Sequence, residues 1–216
     1  INQGLSSSLS TVNSFPEDRV LSLHERRSGT YKTSAYFLAK MTAESLIQMI
    51  KPIMFSSIVY FMAGLHHDAK NFFIFMGIMI LCSMAATSLA LMISAICKTA
   101  TMSLKILAIC LEISRLFGGF FLEPARLPLY FSWLDALSFI KYAFISVSLN
   151  EYKDVVFDCF ESQRLPNGKC PIENGNYVIN LRGYDYISIA TATGILLLFI
   201  FVMRFIAYIG LRFNKH

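Results

Sequence analysis

Charged residues are scarce in this sequence. Asp, Glu, Lys and Arg together make up 15% of the chain, whereas hydrophobic residues make up 55%. Soluble domains carry about 25% charged residues, so this composition excludes an ordinary soluble domain. Two apolar stretches, 72–97 and 186–211, exceed the roughly 20 residues that a helix needs to cross a bilayer. The sequence therefore predicts an all-α polytopic membrane protein.

Motifs of catalysis are also missing. The sequence has no Walker A pattern, no Gly-x-Ser-x-Gly elbow, no His-Glu-x-x-His and no Cys-x-x-Cys. His66-His67-Asp68 offers side chains of the types that bind metals, but such a group on a short polar link is more often a solvated turn. We therefore expect no catalytic residue, cofactor site or metal site within this chain.

The first residues suggest that the chain is a piece of a longer protein. It begins with Ile1 instead of Met and shows no signal peptide. Residues 1–15 resemble the end of a truncated transmembrane helix. Residues 16–33 then carry a basic, charged stretch, which predicts either an amphipathic helix at the membrane surface or a solvated basic loop.

Lysine and arginine are distributed unevenly along the chain. Two further stretches, 40–65 and 105–122, are weaker candidate spans because charged residues interrupt them. With four spans, three basic groups fall on one side of the membrane, which the positive-inside rule makes cytoplasmic. The net charge of +5 follows from this sidedness, so we expect no nucleic-acid partner. The groups are Arg19, Arg26, Arg27, Lys32 and Lys40; Lys98 and Lys105; and Arg212 and Lys215.

The segment 123–185 lies on the opposite side in this topology. It contains six Lys or Arg and eight Asp or Glu, so it lacks the basic bias of a cytoplasmic loop. Pro124 and Pro128 interrupt any helix there, yet 129–149 is again apolar and aromatic. If 129–149 crossed the membrane, the basic C-terminus would lie outside. We therefore predict a re-entrant or membrane-edge helix pair followed by an outer loop.

The outer loop contains two of the five cysteines. Cys159 and Cys170 are separated by ten residues that include the turn sequence Pro166-Asn167-Gly168. An intrachain disulfide is the preferred prediction, and a free pair or a bridge to a second subunit is the alternative.

Charges inside the predicted spans are candidates for function because each is costly in lipid. Glu112 and Arg115 lie three residues apart and can pair locally, either as a packing contact between helices or as the polar lining of a substrate path. Lys105 and Arg204 are expected to extend their side chains to the membrane surface. The small residues between Ser83 and Ala90 predict that this span is central to helix packing.

Several motifs in order resemble the membrane domain of subfamily G ABC transporters, of the White and breast-cancer-resistance type. The resemblance covers nearly the whole chain. It implies an ABC-2 type, type V exporter-like transmembrane domain with a re-entrant helix pair and a disulfide-containing outer loop. The motifs are FPEDRV and HERRSGTYKTSAYFLAK, VYFMAGL at 59–65, GGFF at 118–121, WLDALSFIKYAFISVSLNEY at 133–152, CPIENG with VINLRGY, and MRFIAYIGL at 203–211.

The resemblance also implies a division of the chain. Residues 16–33 correspond to a cytoplasmic coupling helix, 34–122 to three transmembrane helices, 123–185 to the extracellular re-entrant helices and loop, and 186–216 to the last transmembrane helix and a short tail. It implies ATP-driven export of lipids, sterols or amphipathic small molecules. ATP and Mg²⁺ are then bound by a nucleotide-binding domain outside this chain, and the chain itself has no catalytic residue.

Roles for particular residues follow from the same resemblance. His24, Glu25, Arg26 and Arg27 match the contact with the nucleotide-binding domain. Ala108, Ile109 and Glu112 match cavity-facing positions, and Phe120 and Phe121 match an apolar gate above that cavity. Glu112 stands where the multidrug member is apolar, which argues against the same cargo.

The expected partners are a nucleotide-binding domain, a second half-transporter in a homodimer or heterodimer, and membrane lipids. The plasma membrane is the expected location. The alternative function is a non-transporting membrane scaffold that dimerises through its small-residue helix.

Overall fold

The described residues of the chain fold mainly into helices. The computed structural model describes residues 33–65, 68–97, 99–120, 128–157, 170, 172 and 174–213. Within these ranges no β-strand forms, and the one extended pairing is an isolated bridge between Val156 and Asn174. The helices are α1 (Thr33–Met62), α2 (Ala69–Ile96), α3 (Ala100–Leu116), α4 (Ser132–Leu137), α5 (Phe139–Tyr152), α6 (Gly175–Arg182) and α7 (Ile189–Phe213), with a 3₁₀ turn at Leu129–Phe131.

Three of these helices are long and apolar enough to cross a membrane. They cover Met41–Met62, Ala69–Ile96 and Ile189–Arg212. The fourth predicted span falls on α3, which has 17 residues and includes Lys105, Glu112 and Arg115. At 1.5 Å per residue α3 is only about 25 Å long, short of the roughly 30 Å hydrocarbon core. The division of 34–122 into three spans therefore stays a prediction.

Helix α2 lies at the centre of the described bundle. It packs most extensively against α7, and also against α1 and α5. Its stretch from Ser83 to Ala90 is buried almost throughout, as the density of small residues predicts. Near the other end of the contact, a Cβ added to Gly210 of α7 would lie 3.5 Å from the Cβ of Ala95. Small residues on both helices therefore let the two backbones approach closely.

The outer faces of α1 and α7 are apolar and exposed. In α1, Leu46 is 63% exposed, and in α7, Phe201 is 71% exposed. Apolar residues in contact with lipid need no burial by protein, so this pattern fits two membrane-spanning helices that border the bilayer.

The predicted helix pair at 129–149 is present as α4 and α5, separated at Ser138. The Ser138 hydroxyl accepts a hydrogen bond from the backbone N–H of Lys141, which caps α5. It also donates to the carbonyl oxygen of Ser114, 2.7 Å away at the end of α3. The break at Ser138 thus starts a new helix and attaches it to α3. That this pair is re-entrant or lies at the membrane edge stays a prediction.

The close contact of α2 with α7 gives the first test. We expect Gly210→Leu to lower the melting temperature of the purified protein, because overpacking a close helix contact costs about 1–3 kcal/mol. Gly194 of the same helix has no atom within 4 Å of an added Cβ, so Gly194→Leu is the matched control. Equal melting temperatures for the two variants would contradict the close packing.

Candidate functional site

The three predicted cavity residues lie on one exposed side of α3. Ala108, Ile109 and Glu112 are all exposed, and Ile109 is 61% exposed. Ile113 and Leu116, one turn further on, are also exposed. This side of α3 therefore presents an apolar surface that other described helices do not cover.

A charged pair interrupts this apolar surface. The Arg115 Nη1 and Glu112 Oε1 atoms are 3.6 Å apart, and the two side chains are 37% and 60% exposed. The pair is local to α3, so it is not an ion pair between described helices. A concavity of about 480 Å³ lies beside it, lined by Glu112, Ile113, Arg115 and Leu116.

Two glycines place Phe120 at the end of α3. Gly119 has φ of +82°, which side-chain-bearing residues rarely adopt. A Cβ on Gly118 would lie 2.9 Å from Cγ2 of Ile140, so no side chain fits there without a shift. The chain turns sharply, and Phe120 is left 54% exposed with its ring 6.0 Å from that of Phe144.

Tyr184, which lies 65 residues after Gly119 in the chain, stabilises this turn. Its hydroxyl donates a hydrogen bond of 2.9 Å to the carbonyl oxygen of Gly119, and the residue is buried. Its ring also packs edge-on against Phe144 at 6.2 Å. The sequence alone predicts no role for Tyr184. The signal it offers is its place at the end of the motif VINLRGY, directly after Gly183.

A buried ion pair joins α4 to α5. The Lys141 ammonium donates to the Asp135 carboxylate, and both side chains are buried. Helix α5 lies outside the three candidate spans. Burial lowers the pKa of Lys141, but its hydrogen bond to Asp135 and its electrostatic interactions with Asp135 and Tyr186 together raise it by more, so the net pKa is above its usual value. Lys141 therefore stays charged at neutral pH, and the pair holds the two short helices together.

Arg204 connects three helices within the membrane region. Its Nε donates to the Ser88 hydroxyl of α2 at 3.1 Å, and its Nη2 donates to the Ser45 hydroxyl of α1 at 3.0 Å. Each serine hydroxyl donates in turn to a carbonyl of its own helix, Met84 and Met41 respectively. The expectation that Arg204 extends to the membrane surface is therefore wrong, because its guanidinium is held inside the bundle.

Comparison with known proteins identifies the family of this chain. Residues 1–152 match the family described as ABC-2 type transporter. The chain belongs to the ABC-2 type transporter family. It is an integral, multi-pass membrane protein, and the resemblance to subfamily G is confirmed by its relatives.

Relatives of this ABC-2 domain come from distant organisms. ABC transporter G family member 1 of Dictyostelium discoideum is 31% identical over 96% of the chain and 26% of that protein. The ABC transporter ATP-binding protein/permease wht-1 of Caenorhabditis elegans is 35% identical over 90% of the chain and 29% of that protein. Rat "Broad substrate specificity ATP-binding cassette transporter ABCG2" is 30% identical over 67% and 22%. The chain thus spans less than a third of each relative.

Several predicted residues of this ABC-2 domain lie outside the described part of the chain. Cys170 is described, but Cys159 is not, so the disulfide stays a prediction. The other predicted residues outside the described ranges are His24, Glu25, Arg26, Arg27, His66, His67 and Phe121.

The Arg204 junction gives a test of helix packing in the ABC-2 domain. We expect Ser45→Ala and Ser88→Ala each to lower the melting temperature, because a hydrogen bond to a charged group contributes about 1.5–3 kcal/mol. Ser57→Ala is the control, since the Ser57 hydroxyl donates to the carbonyl of Ile53 in its own helix. If all three variants had the same melting temperature, the hydrogen bonds of Arg204 would not contribute to the stability of the protein.

Proposed function

We propose that this chain is the membrane-spanning part of an ATP-driven exporter of lipids, sterols or amphipathic small molecules. A nucleotide-binding domain outside this chain binds ATP and Mg²⁺ and supplies the hydrolysis. The exporter works as a homodimer or heterodimer of half-transporters in the plasma membrane.

The names of the relatives support the ATP-driven part of the proposal. The wht-1 protein is named an ATP-binding protein/permease, and the rat relative is named a cassette transporter of broad substrate specificity. Our chain covers only 29% and 22% of those proteins. The remaining length leaves room for an ATP-binding domain in a full-length protein of this kind.

The observation that carries the proposal is the charged pair on the exposed side of α3. Charged side chains at membrane depth face either a water-filled space or a partner, because contact with lipid is too costly. Glu112 and Arg115 are exposed among apolar neighbours. A second copy facing this side of α3 would enclose a space that is mostly apolar with two charges. That chemistry suits an amphipathic cargo with one polar or cationic group.

Three other assignments belong to the same proposal. Residues 16–33 form the cytoplasmic joint to the nucleotide-binding domain, where charged side chains transmit its movement to α1. Phe120 and Phe121 form an apolar gate beyond the α3 surface, held in place by the turn at Gly119. A Cys159–Cys170 disulfide closes the outer loop in an oxidising compartment.

The proposed contact of residues 16–33 with the nucleotide-binding domain can be tested by separating ATP hydrolysis from transport. We expect the double variant Glu25→Ala with Arg26→Ala, made in the full-length protein, to keep ATP hydrolysis while losing most cargo transport. Removing the charged side chains breaks the contact that transmits movement but leaves the ATP site intact. ATPase activity and export from proteoliposomes are measured in parallel on the same preparation.

A matched control removes one acid and one base from a different link. Asp68 and Lys70 are both exposed at the start of α2, so Asp68→Ala with Lys70→Ala should leave export unchanged. Unchanged export in the Glu25/Arg26 variant would remove the coupling role. A full-length protein with no ATPase activity at all would favour the scaffold function instead.

A substitution of Glu112 tests whether this side of α3 contacts the cargo. We expect Glu112→Gln to shift the relative export of cationic and neutral amphiphiles by about tenfold, since loss of one charge contact amounts to roughly 1.4 kcal/mol. Asp185→Asn, an exposed carboxylate outside the helices, is the control. An unaltered cargo profile in both variants would leave Glu112 with a packing role only.

A further inference from the structure

A second cavity lies at the outer end of the bundle, away from the Ala108–Glu112 surface. Its volume is about 570 Å³, within the range of roughly 300–1,000 Å³ typical of small-molecule sites. It is open on one side and is lined by the end of α1, by α5, by α6 and by the turn after α3. All of its described lining residues belong to one chain.

Aromatic rings make up much of its wall. Phe120, Phe144, Tyr152, Phe157 and Tyr184 all line the cavity. Phe120 and Tyr184 each pack edge-on against Phe144. Rings presented from several elements suit a ligand with a flat, ring-containing apolar body.

A serine hydroxyl in this wall is available to a ligand. Ser148 is 7% exposed and lines the cavity, and its hydroxyl has no hydrogen-bond partner among the described residues. By contrast, the hydroxyl of Ser146, two residues earlier in α5, donates to the carbonyl of Tyr142 at 2.8 Å. The Ser148 oxygen is not among the fully buried side-chain atoms that lack a partner, so it stays accessible and can hydrogen-bond to a ligand in the cavity.

The charges at this cavity favour a neutral ligand. Glu151 and Arg182 both line it and carry opposite charges, so the described part of the lining has no net charge. A cationic or anionic ligand would meet one favourable and one unfavourable charge. A neutral molecule with one hydroxyl has no unfavourable charge–charge contact with either residue.

We propose that the outer cavity, lined by Phe120, Phe144, Ser148 and Tyr184, binds a neutral amphiphile with a ring-containing body and one hydroxyl. The ligand packs on the aromatic wall and hydrogen-bonds to Ser148. Because Phe120 forms part of the wall, an occupied site holds that side chain in one position. This last consequence rests on the gate role proposed above, whereas binding itself does not.

Photolabelling tests the site directly. The probe is a diazirine derivative of benzyl alcohol, which has one ring and one hydroxyl, applied to the full-length protein without nucleotide. We expect saturable labelling of the cavity residues by mass spectrometry, against non-saturating labelling of the lipid-facing residues of α7. Labelling of the cavity that rises linearly with probe concentration would overturn the proposal.

Two variants locate the probe. Val178 of α6 lines the cavity, and we expect Val178→Trp to fill it and lower saturable labelling about tenfold. Val202→Trp is the control, because Val202 is exposed on α7. We expect Ser148→Ala to lower labelling about fivefold by removing one hydrogen bond, with Ser57→Ala as its control.

The outcomes separate the parts of the proposal. If Val178→Trp fails to fold, Ser148→Ala decides alone. Undiminished labelling in Ser148→Ala would overturn the hydroxyl-bearing ligand, and undiminished labelling in Val178→Trp would overturn the site. Saturable labelling of a protein that neither hydrolyses ATP nor exports would keep this site and overturn only the proposed function.

Discussion

The contact of α2 with α7 holds the described bundle together. Lipid tails are as apolar as the side chains of a membrane helix, so moving a side chain from lipid into a helix contact gains little free energy. Helices in a membrane therefore associate through close van der Waals packing and a few hydrogen bonds. Ala95 and Gly210 bring the two backbones together at one end, and the small residues from Ser83 to Ala90 extend the buried face of α2. Helices α1 and α5 then pack on α2, and α5 also packs on α7. The positions of the other helices depend on this pair.

Polar side chains hold other helices of the bundle together at two places. Arg204 joins α7 to α1 and α2 through two serine hydroxyls, and Lys141 with Asp135 joins α4 to α5. Arg204 and Lys141 each hydrogen-bond to side chains of a different helix. The pair Glu112–Arg115 differs because it is exposed on α3. Within the described residues, the Lys141–Asp135 pair is buried and the Glu112–Arg115 pair lies at the surface of α3.

The sequence predicts what depends on local pattern. The length of the apolar stretches predicts α2 and α7, the small residues predict the buried face of α2, and Pro128 with the apolar run after it predicts the outer helix pair. Contacts between distant residues are different. Arg204 and Ser45 are separated by 159 positions, and Tyr184 and Gly119 by 65. No periodicity links such positions, so neither the partners of Arg204 nor the role of Tyr184 could be predicted.

The backbone contact between α2 and α7 also bears on electrical insulation of the membrane. A Cβ built on Gly210 would lie 3.5 Å from that of Ala95, in van der Waals contact, so no water molecule fits between the helices at this point. Water files conduct protons, and a contact this close interrupts such a file between α2 and α7. Two residues without bulky side chains thus help to keep the membrane insulated at this position.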